Sequence, residues 1–322
     1  MASLETLKVN DMATISDWRI LGAGALGCLW ASYLRKSGRQ VELLLKDAEV
    51  LRQYRQVNAI TFISNDQKEQ LTAGTSVVDQ GDAGIEHLLI TTKAHQTMTA
   101  MQEVAPRLSP ECRLLLMQNG MGVAEQIAGA FPEHPLFCGV TTDGAYCPEP
   151  FTVVHAGKGN TFIGAYRNLH NPQTVIEQLP TDYLEIRPCN DIETRQWRKL
   201  AINCAVNGLT VIHHCRNGEL LNIAAARSRL VRLCDEIARL GAVLGFTEWA
   251  NTLYADTENV IRMTGANYSS MYQDIDNRRL TEIDYINGFL IRQAERHGIA
   301  CPENEALYRD IKQKEVELGC EM

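Results

Sequence analysis

Between Asp17 and about Pro188, short apolar runs alternate with helix-length segments of mixed polarity; the runs are WRIL, VELLL, HLLITT, RLLLM and LFCGVTT. Short apolar runs bounded by polar segments read as strands buried on both faces. Their alternation with helix-length stretches predicts parallel strands joined by crossover helices, an α/β architecture. AITFIS, FTVVHAG and NTFIGAY predict further strands that extend or flank the sheet. Beyond LEIRP only helical periods remain. IAAARSRLVRLCDEIARLGAVLGF and TEIDYINGFLIRQAERHG each predict a long helix, the second stopped by His297, Gly298 and Pro302. The expected organisation is a short flexible tail over residues 1–16, an α/β domain over 17–189 and an all-helical domain over 190–322.

One segment breaks the apolar pattern. WRKLAINCAVNGLT, Trp197 to Thr210, places Lys199, Asn203 and Asn207 at four-residue intervals. On a helix such positions stack along one face and drift about 40° per step. Asparagine competes for the backbone in a helix interior, and burying its amide without partners costs about 1–3 kcal/mol. The stripe therefore predicts a polar site opposite it. The segment alone equally allows a solvated lysine beside Arg198 and a helix end at Asn207–Gly208.

A second signal lies at the start of the α/β region. RILGAGALGCLW follows a strand, opens a helix and carries Gly22, Gly24 and Gly27 in G-x-G-x-x-G spacing. The first glycine permits a tight turn, the second lets a pyrophosphate approach the backbone, and the third allows close helix packing. Ala23, Ala25 and Leu26 supply the intervening backbone at the helix N-terminus, where free N–H groups favour phosphate. This predicts a Rossmann dinucleotide-binding domain. The next strand, VELLL, ends in Lys46 and Asp47. An acid there binds a free ribose 2′-hydroxyl, whereas a cation accepts a 2′-phosphate, so spacing leaves NAD and NADP both open.

Net charge is −8, which disfavours a general nucleic-acid or anionic-membrane binder. The ten cysteines are scattered without a C-x-x-C pair, as expected of reduced thiols in a cytoplasmic protein. His213, His214 and Cys215 are adjacent and cannot all face one ion from a regular element, so no metal site is expected. The N-terminus MASLETLKVNDMATISDW carries acids and no apolar core, unlike a signal peptide, and no window approaches a membrane span.

Together, ILGAGALGCLW, TTKAHQT, MQNGMG, WRKLAINCAVNGLT, NGELL and NYSSMYQDIDNRRLTEIDYINGFLIRQAERHGIACPEN resemble the motifs of the ketopantoate reductase (2-dehydropantoate 2-reductase) family, in order from about Arg19 to the final helix. The resemblance implies a Rossmann domain joined to an all-helical domain. It also implies NADPH-dependent reduction of ketopantoate, a small 2-keto acid, to pantoate on the route to pantothenate and coenzyme A. By the same resemblance Lys199 is the catalytic lysine, and Asn203, Asn207 and Asn217 bind substrate. Asn119 touches both nicotinamide ribose and substrate, Lys93 and Ala145 contact the cofactor, and Lys46 meets the 2′-phosphate. Asn267 to Ser270 form a substrate loop with Ser270 at the carboxylate, and Glu282 is the active-site glutamate, also at the cofactor. Two positions depart from the family pattern: Lys46 stands where arginine is frequent, and Gly208 where proline is frequent.

Each residue also has a plainer reading. Thr281 can cap a helix whose first turn holds Glu282, and Asn119–Gly120 is an ordinary turn signal. A sister reductase for another branched 2-keto acid and a nonenzymatic NADP(H)-binding regulator remain alternatives, although Lys199 and Glu282 together favour an enzyme. Monomer and homodimer are equally compatible with the sequence.

Overall fold

The computed structural model describes residues 17–321; the tail predicted over residues 1–16 lies outside them. Among the described residues the strands are β1 (Trp18–Leu21), β2 (Val41–Leu45), β3 (Ile60–Ser64), β4 (Gln67–Leu71), β5 (Gly74–Val77), β6 (Ile85–Ile90), β7 (Leu108–Leu116), β8 (Leu136–Thr141), β9 (Gly144–Glu149), β10 (Thr152–Gly157), β11 (Asn160–Ala165) and β12 (Glu185–Pro188). The helices of the α/β region are α1 (Ala25–Lys36), α2 (Ala48–Val57), α3 (Ala94–Val104), α4 (Val123–Ala130) and the short α5 (Gln173–Ile176). From residue 192 onward come α6 (Ile192–His213), α7 (Ala224–Val243), α8 (Thr247–Met263), α9 (Ser270–Asp276), α10 (Asn287–Arg296) and α11 (Pro302–Glu317).

The main sheet has the order β12-β11-β8-β7-β6-β1-β2-β5. β1 pairs in parallel with both β2 and β6, so the chain reverses its winding direction at β1. In such sheets a crevice opens beyond the carboxyl ends of the strands at the reversal. A smaller sheet, β4-β3-β10-β9, covers the outer side of α1. This explains why α1 is apolar nearly all round: Cys28 through Leu34 are buried, with Trp30 and Tyr33 packed beside Phe62 and Val153. The strands that apolar patterning does not reveal, β4, β5 and β9, are all sheet edges, and their sequences QKEQL, GTSV and GAYCPE are correspondingly polar or small.

In the helical region α6 is the central element, packed by α7, α8, α9 and α11. It continues through Asn207 and Gly208 to His213, so the helix end read at Asn207–Gly208 does not occur. Gly208 serves packing instead: a Cβ there would lie 2.9 Å from Leu307 of α11. The helix predicted from Thr281 begins only at Asn287. Thr281 donates both its N–H and its hydroxyl to the Glu315 carboxylate, at 2.8 and 2.6 Å, and Ile286 at φ −103°, ψ −94° is not helical. Glu282 is therefore not a first-turn acid of its own helix. No helix among the described residues is long and apolar enough to cross a membrane.

Candidate active site

The reversal at β1 opens a cleft of about 460 Å³. Its floor is the glycine loop, Gly22 to Leu26. Gly22 has φ +105°, a conformation that favours glycine, and Thr91 Oγ1 donates to its carbonyl at 2.9 Å. Gly27 does not line the cleft; a Cβ there would fall 1.9 Å from the Gly22 carbonyl oxygen, so it brings α1 against the loop. At Gly24 a Cβ would meet nothing within 4 Å. That open space over the uncapped start of α1, with no acid in its first turn, fits a dinucleotide pyrophosphate.

At the end of β2, Lys46 and Asp47 have different surroundings. Asp47 caps α2, its Oδ1 accepting from Val50 N at 2.9 Å. Lys46 lines the cleft with a largely exposed side chain, and its Nζ is 3.8 Å from Asp47. Ala145, on β9, and Asn119, after β7, line the same cleft.

The helical region closes the other side with Lys199, Ser270 and Glu282. Lys199 Nζ donates to the Thr141 carbonyl at 3.0 Å. Burial pushes its ammonium down to about 8, against an opposing pull from Glu282. The value near 10.4 expected of an unperturbed lysine therefore does not apply. Asn203 joins Lys199 and Asn119 around a narrow gap beside the cleft. Among the described residues, neither the Asn203 nor the Asn207 amide makes a hydrogen bond, so of the polar stripe of α6 only Lys199 has a partner.

Glu282 works across the junction of the two regions. Its Oε1 accepts from Ala94 N, the first residue of α3, at 3.1 Å, and its Oε2 is 3.6 Å from Lys93. Lys93 lines the cleft, yet it is also 2.5 Å from Asp274 Oδ2 on α9. Burial alone would push Lys93 down, but the Glu282 and Asp274 carboxylates outweigh it and hold the ammonium above the ordinary lysine value.

Of the expected substrate residues, Asn203 borders only the adjacent gap, and Asn207, Asn217 and Asn267 line neither it nor the cleft. Asn207 is buried further along α6. Asn217 is a loop clamp: its Nδ2 donates to Thr264 Oγ1 at 2.9 Å, and its backbone N–H donates to the Asn267 carbonyl at 2.9 Å. Asn267 is exposed on that clamped loop, which leads to Ser269 and Ser270; the Ser269 hydroxyl caps α9 and lies 2.7 Å from Thr210 Oγ1. Two acids at the site escaped sequence reasoning. Asp143 lines the cleft and accepts from Thr141 Oγ1 at 2.9 Å, Gly159 N at 2.9 Å and, at 3.1 Å, contacts His155 Nε2. Asp274 lies four residues after Ser270 on one helix face, a spacing that could have exposed it.

Comparison with known proteins identifies the family. Residues 18–168 match the family model "Ketopantoate reductase PanE/ApbA", and residues 191–315 match "Ketopantoate reductase PanE/ApbA C terminal". The chain is 38% identical over 299 residues to the 2-dehydropantoate 2-reductase of Escherichia coli O157:H7, covering 92% of this chain and 95% of that protein. It is 36% identical over 301 residues to the 2-dehydropantoate 2-reductase of Yersinia pestis, covering 92% and 94%. Among solved structures, a D-mandelate dehydrogenase in ternary complex with NADH and anilino(oxo)acetate superposes with TM-score 0.85 at 26% identity, over 94% of this chain and 99% of that one. A PanE/ApbA family ketopantoate reductase from Ralstonia eutropha JMP134 shares the fold with TM-score 0.84 at 21% identity, over 94% and 99%. Two consecutive family matches and relatives aligned over nine-tenths of both chains place the molecule: it belongs to the ketopantoate reductase PanE/ApbA family.

Proposed function

We propose that this chain reduces 2-dehydropantoate to pantoate with NADPH, residues 17–189 holding the dinucleotide and residues 190–322 supplying the groups that act on the keto acid. The observation that carries the reading is the meeting of Lys199, Ser270 and Glu282 with the glycine loop in one cleft. The 36–38% identical relatives that bear the name of this reaction support the choice of substrate. When bound, the dinucleotide supplies a hydride for C2 of the keto acid. The Lys199 ammonium hydrogen-bonds the keto oxygen and transfers its proton as negative charge develops there, giving the 2-hydroxy acid. Ser270 donates to the carboxylate, and Asn203 binds the hydroxyl without adding charge.

A lysine titrating near 8 is about ten-to-one protonated at pH 7, and is a stronger acid than an exposed lysine. The reductive turnover should therefore be level below pH 8 and fall about tenfold per unit above it, while oxidation of the hydroxy acid rises through the same range. Rate profiles in both directions from pH 6 to 10 check this, and a reductive rate level to pH 10 would remove Lys199 as the acid.

Lys46 supports the choice of NADPH. A 2′-phosphate beside its ammonium gains a charge-assisted contact, while the neighbouring Asp47 carboxylate is committed to capping α2. Lys46→Ala should lower kcat/KM for NADPH by about threefold to tenfold, modest because the side chain is exposed, and leave NADH within about twofold. An equal loss with both cofactors would contradict that contact.

The likeness to an NADH-bound D-mandelate dehydrogenase favours a second reading, NADH-dependent reduction of an aryl 2-keto acid. Nicotinamide absorbance assays with 2-dehydropantoate and phenylglyoxylate, each with NADPH and NADH, separate the two. The expected result is highest kcat/KM for 2-dehydropantoate with NADPH; preference for the aryl acid would overturn it.

A further inference from the structure

Between Thr141, the last residue of β8, and Gly144, the first of β9, the chain leaves the main sheet for the smaller one. Asp143 stands in that crossing with a side chain only 4% exposed, and its carboxylate is held from both sheets. Oδ2 accepts from the Thr141 hydroxyl at 2.9 Å, and the Asp143 N–H donates back to Thr141 Oγ1 at 3.0 Å. Thr161 of β11, paired opposite Thr141, donates its hydroxyl to the same Oγ1 at 2.9 Å. Oδ1 accepts from Gly159 N at 2.9 Å and meets His155 Nε2 of β10 at 3.1 Å. Burial alone would push the carboxyl up, but the bonds from His155, Gly159 and Thr141 outweigh it and hold the group below the usual carboxylate range. An ionised carboxylate only accepts, so His155 Nε2 is the donor, and its Nδ1 meets the Tyr33 hydroxyl of α1 at 2.6 Å. Although Asp143 lines the cleft, both its oxygens are thus engaged by the protein itself. Thr141 carries this hold onward, because its carbonyl accepts from Lys199 Nζ at 3.0 Å.

We propose that Asp143 is a positioning residue of the reduction: its two bonds with Thr141 Oγ1 fix the direction of the Thr141 carbonyl, which in turn holds the Lys199 ammonium where it meets the keto oxygen. The inference rests on the reading of Lys199 as proton donor. Its physical basis is the flexible four-carbon stem of lysine, which lets α6 place the backbone of Lys199 without placing its ammonium. The partner of the ammonium must therefore set its position. A carbonyl at the end of a strand can tilt as the chain turns away, and Asp143 removes that freedom by tying the turn to β10 and β11 together. Misplacing a reacting group by an ångström costs up to about 10²-fold in rate, so a small tilt is enough to matter.

Thr141→Val keeps the carbonyl and nearly the same shape, changes no charge, and breaks the link to Asp143. Asp143→Asn breaks the same link from the other side, and the first variant keeps the inference open to test if the second folds poorly. Each should lower kcat about fivefold to thirtyfold, with KM for 2-dehydropantoate and NADPH affinity within about twofold. The double variant should lose no more than the worse single one, since the two residues act as a unit. A misaimed donor also slows proton transfer relative to the other steps, so the solvent deuterium isotope effect on kcat should rise in both. Tyr33→Phe is the comparison: it strips a partner from His155 and should lower Tm, but it leaves the bonds to Thr141 in place, so kcat should stay within about twofold. A kcat loss in Asp143→Asn with none in Thr141→Val would make the charge of Asp143 responsible rather than its hold, and would overturn the proposal. Unchanged kcat in both with a lowered Tm would reduce Asp143 to a structural residue, and an equal kcat loss in Tyr33→Phe would assign the effect to general loosening; either overturns it. Failure of the unsubstituted enzyme to reduce any 2-keto acid would overturn the functional reading and the inference with it, before any variant is compared.

Discussion

Lys199→Met is expected to lower turnover in 2-keto-acid reduction by about 10²–10⁴-fold, the range for a positioned general acid, while dinucleotide affinity stays within a small factor. The same substitution should leave the protein at least as stable. Burial lowers the folded-state value of this lysine to about 8, below its unfolded value, so the unfolded chain binds its proton more tightly. The buried ammonium therefore costs stability in full below pH 8, and the cost is relieved as the pH rises towards about 10.4. Methionine has similar length and no charge. It forfeits the 3.0 Å bond to the Thr141 carbonyl, worth about 1 kcal/mol, but removes a larger penalty, so a net gain of about 1–2 kcal/mol is expected at pH 7. Steady-state kinetics and melting curves at pH 7 and pH 10 check both halves. The stability difference between the two proteins should shrink at the higher pH. A folded Lys199→Met protein within threefold of normal turnover would sink the assignment, and a variant that melts much lower would make Lys199 a structural residue.

What made Lys199 legible in the sequence also explains what stayed hidden. The glycine loop is a local backbone device: the positive φ of Gly22, the close approach at Gly27 and the open face of Gly24 follow from three positions five residues apart at most. The α6 stripe is local too, because helical periodicity places Lys199 and Asn203 on one face before any packing is known. Residues whose meaning comes from distant partners could not be read that way. Glu282 meets Ala94 across 188 residues of sequence, and Lys93 meets Asp274 across 181. A first-turn acid was the natural reading of Thr281–Glu282, but Glu315 of α11 takes the threonine and frees the glutamate for another helix. The loop contacts of Asn217 were hidden for the same reason. Its motif carries a family expectation of substrate contact, and the structure adds that its amide and backbone hold the Thr264 to Asn267 segment in place. The edge strands β4, β5 and β9 lacked a signal altogether, since an edge gains nothing from an apolar run on its open side.

The position of Glu282 between the two regions gives its conservative substitution an outcome that distinguishes two roles. In Glu282→Gln the amide oxygen can still accept from Ala94 N, so the start of α3 keeps a partner and loses only the charge that favours a helix N-terminus. The ion pair with the partly exposed Lys93 goes as well, and the structural cost should be about 0.5–1.5 kcal/mol. If that were its whole role, kcat/KM would hardly change. As a site residue, Glu282 opposes the effect of burial on Lys199, so removing its charge should drive the lysine further below its present value near 8 and deplete the proton donor at neutral pH. A fall in kcat/KM of about 10–10³-fold at pH 7.5 is expected, equivalent to about 1.4–4 kcal/mol of transition-state stabilisation. The pH dependence then separates action through Lys199 from direct contact with substrate or ribose. If Glu282 acts only through the lysine, lowering the pH to 6 reprotonates the donor and restores most of the rate. If it also binds the reactants, the loss persists at pH 6 and KM rises with it. Unchanged kinetics at both pH values, with only a lowered melting temperature, would confine Glu282 to capping α3.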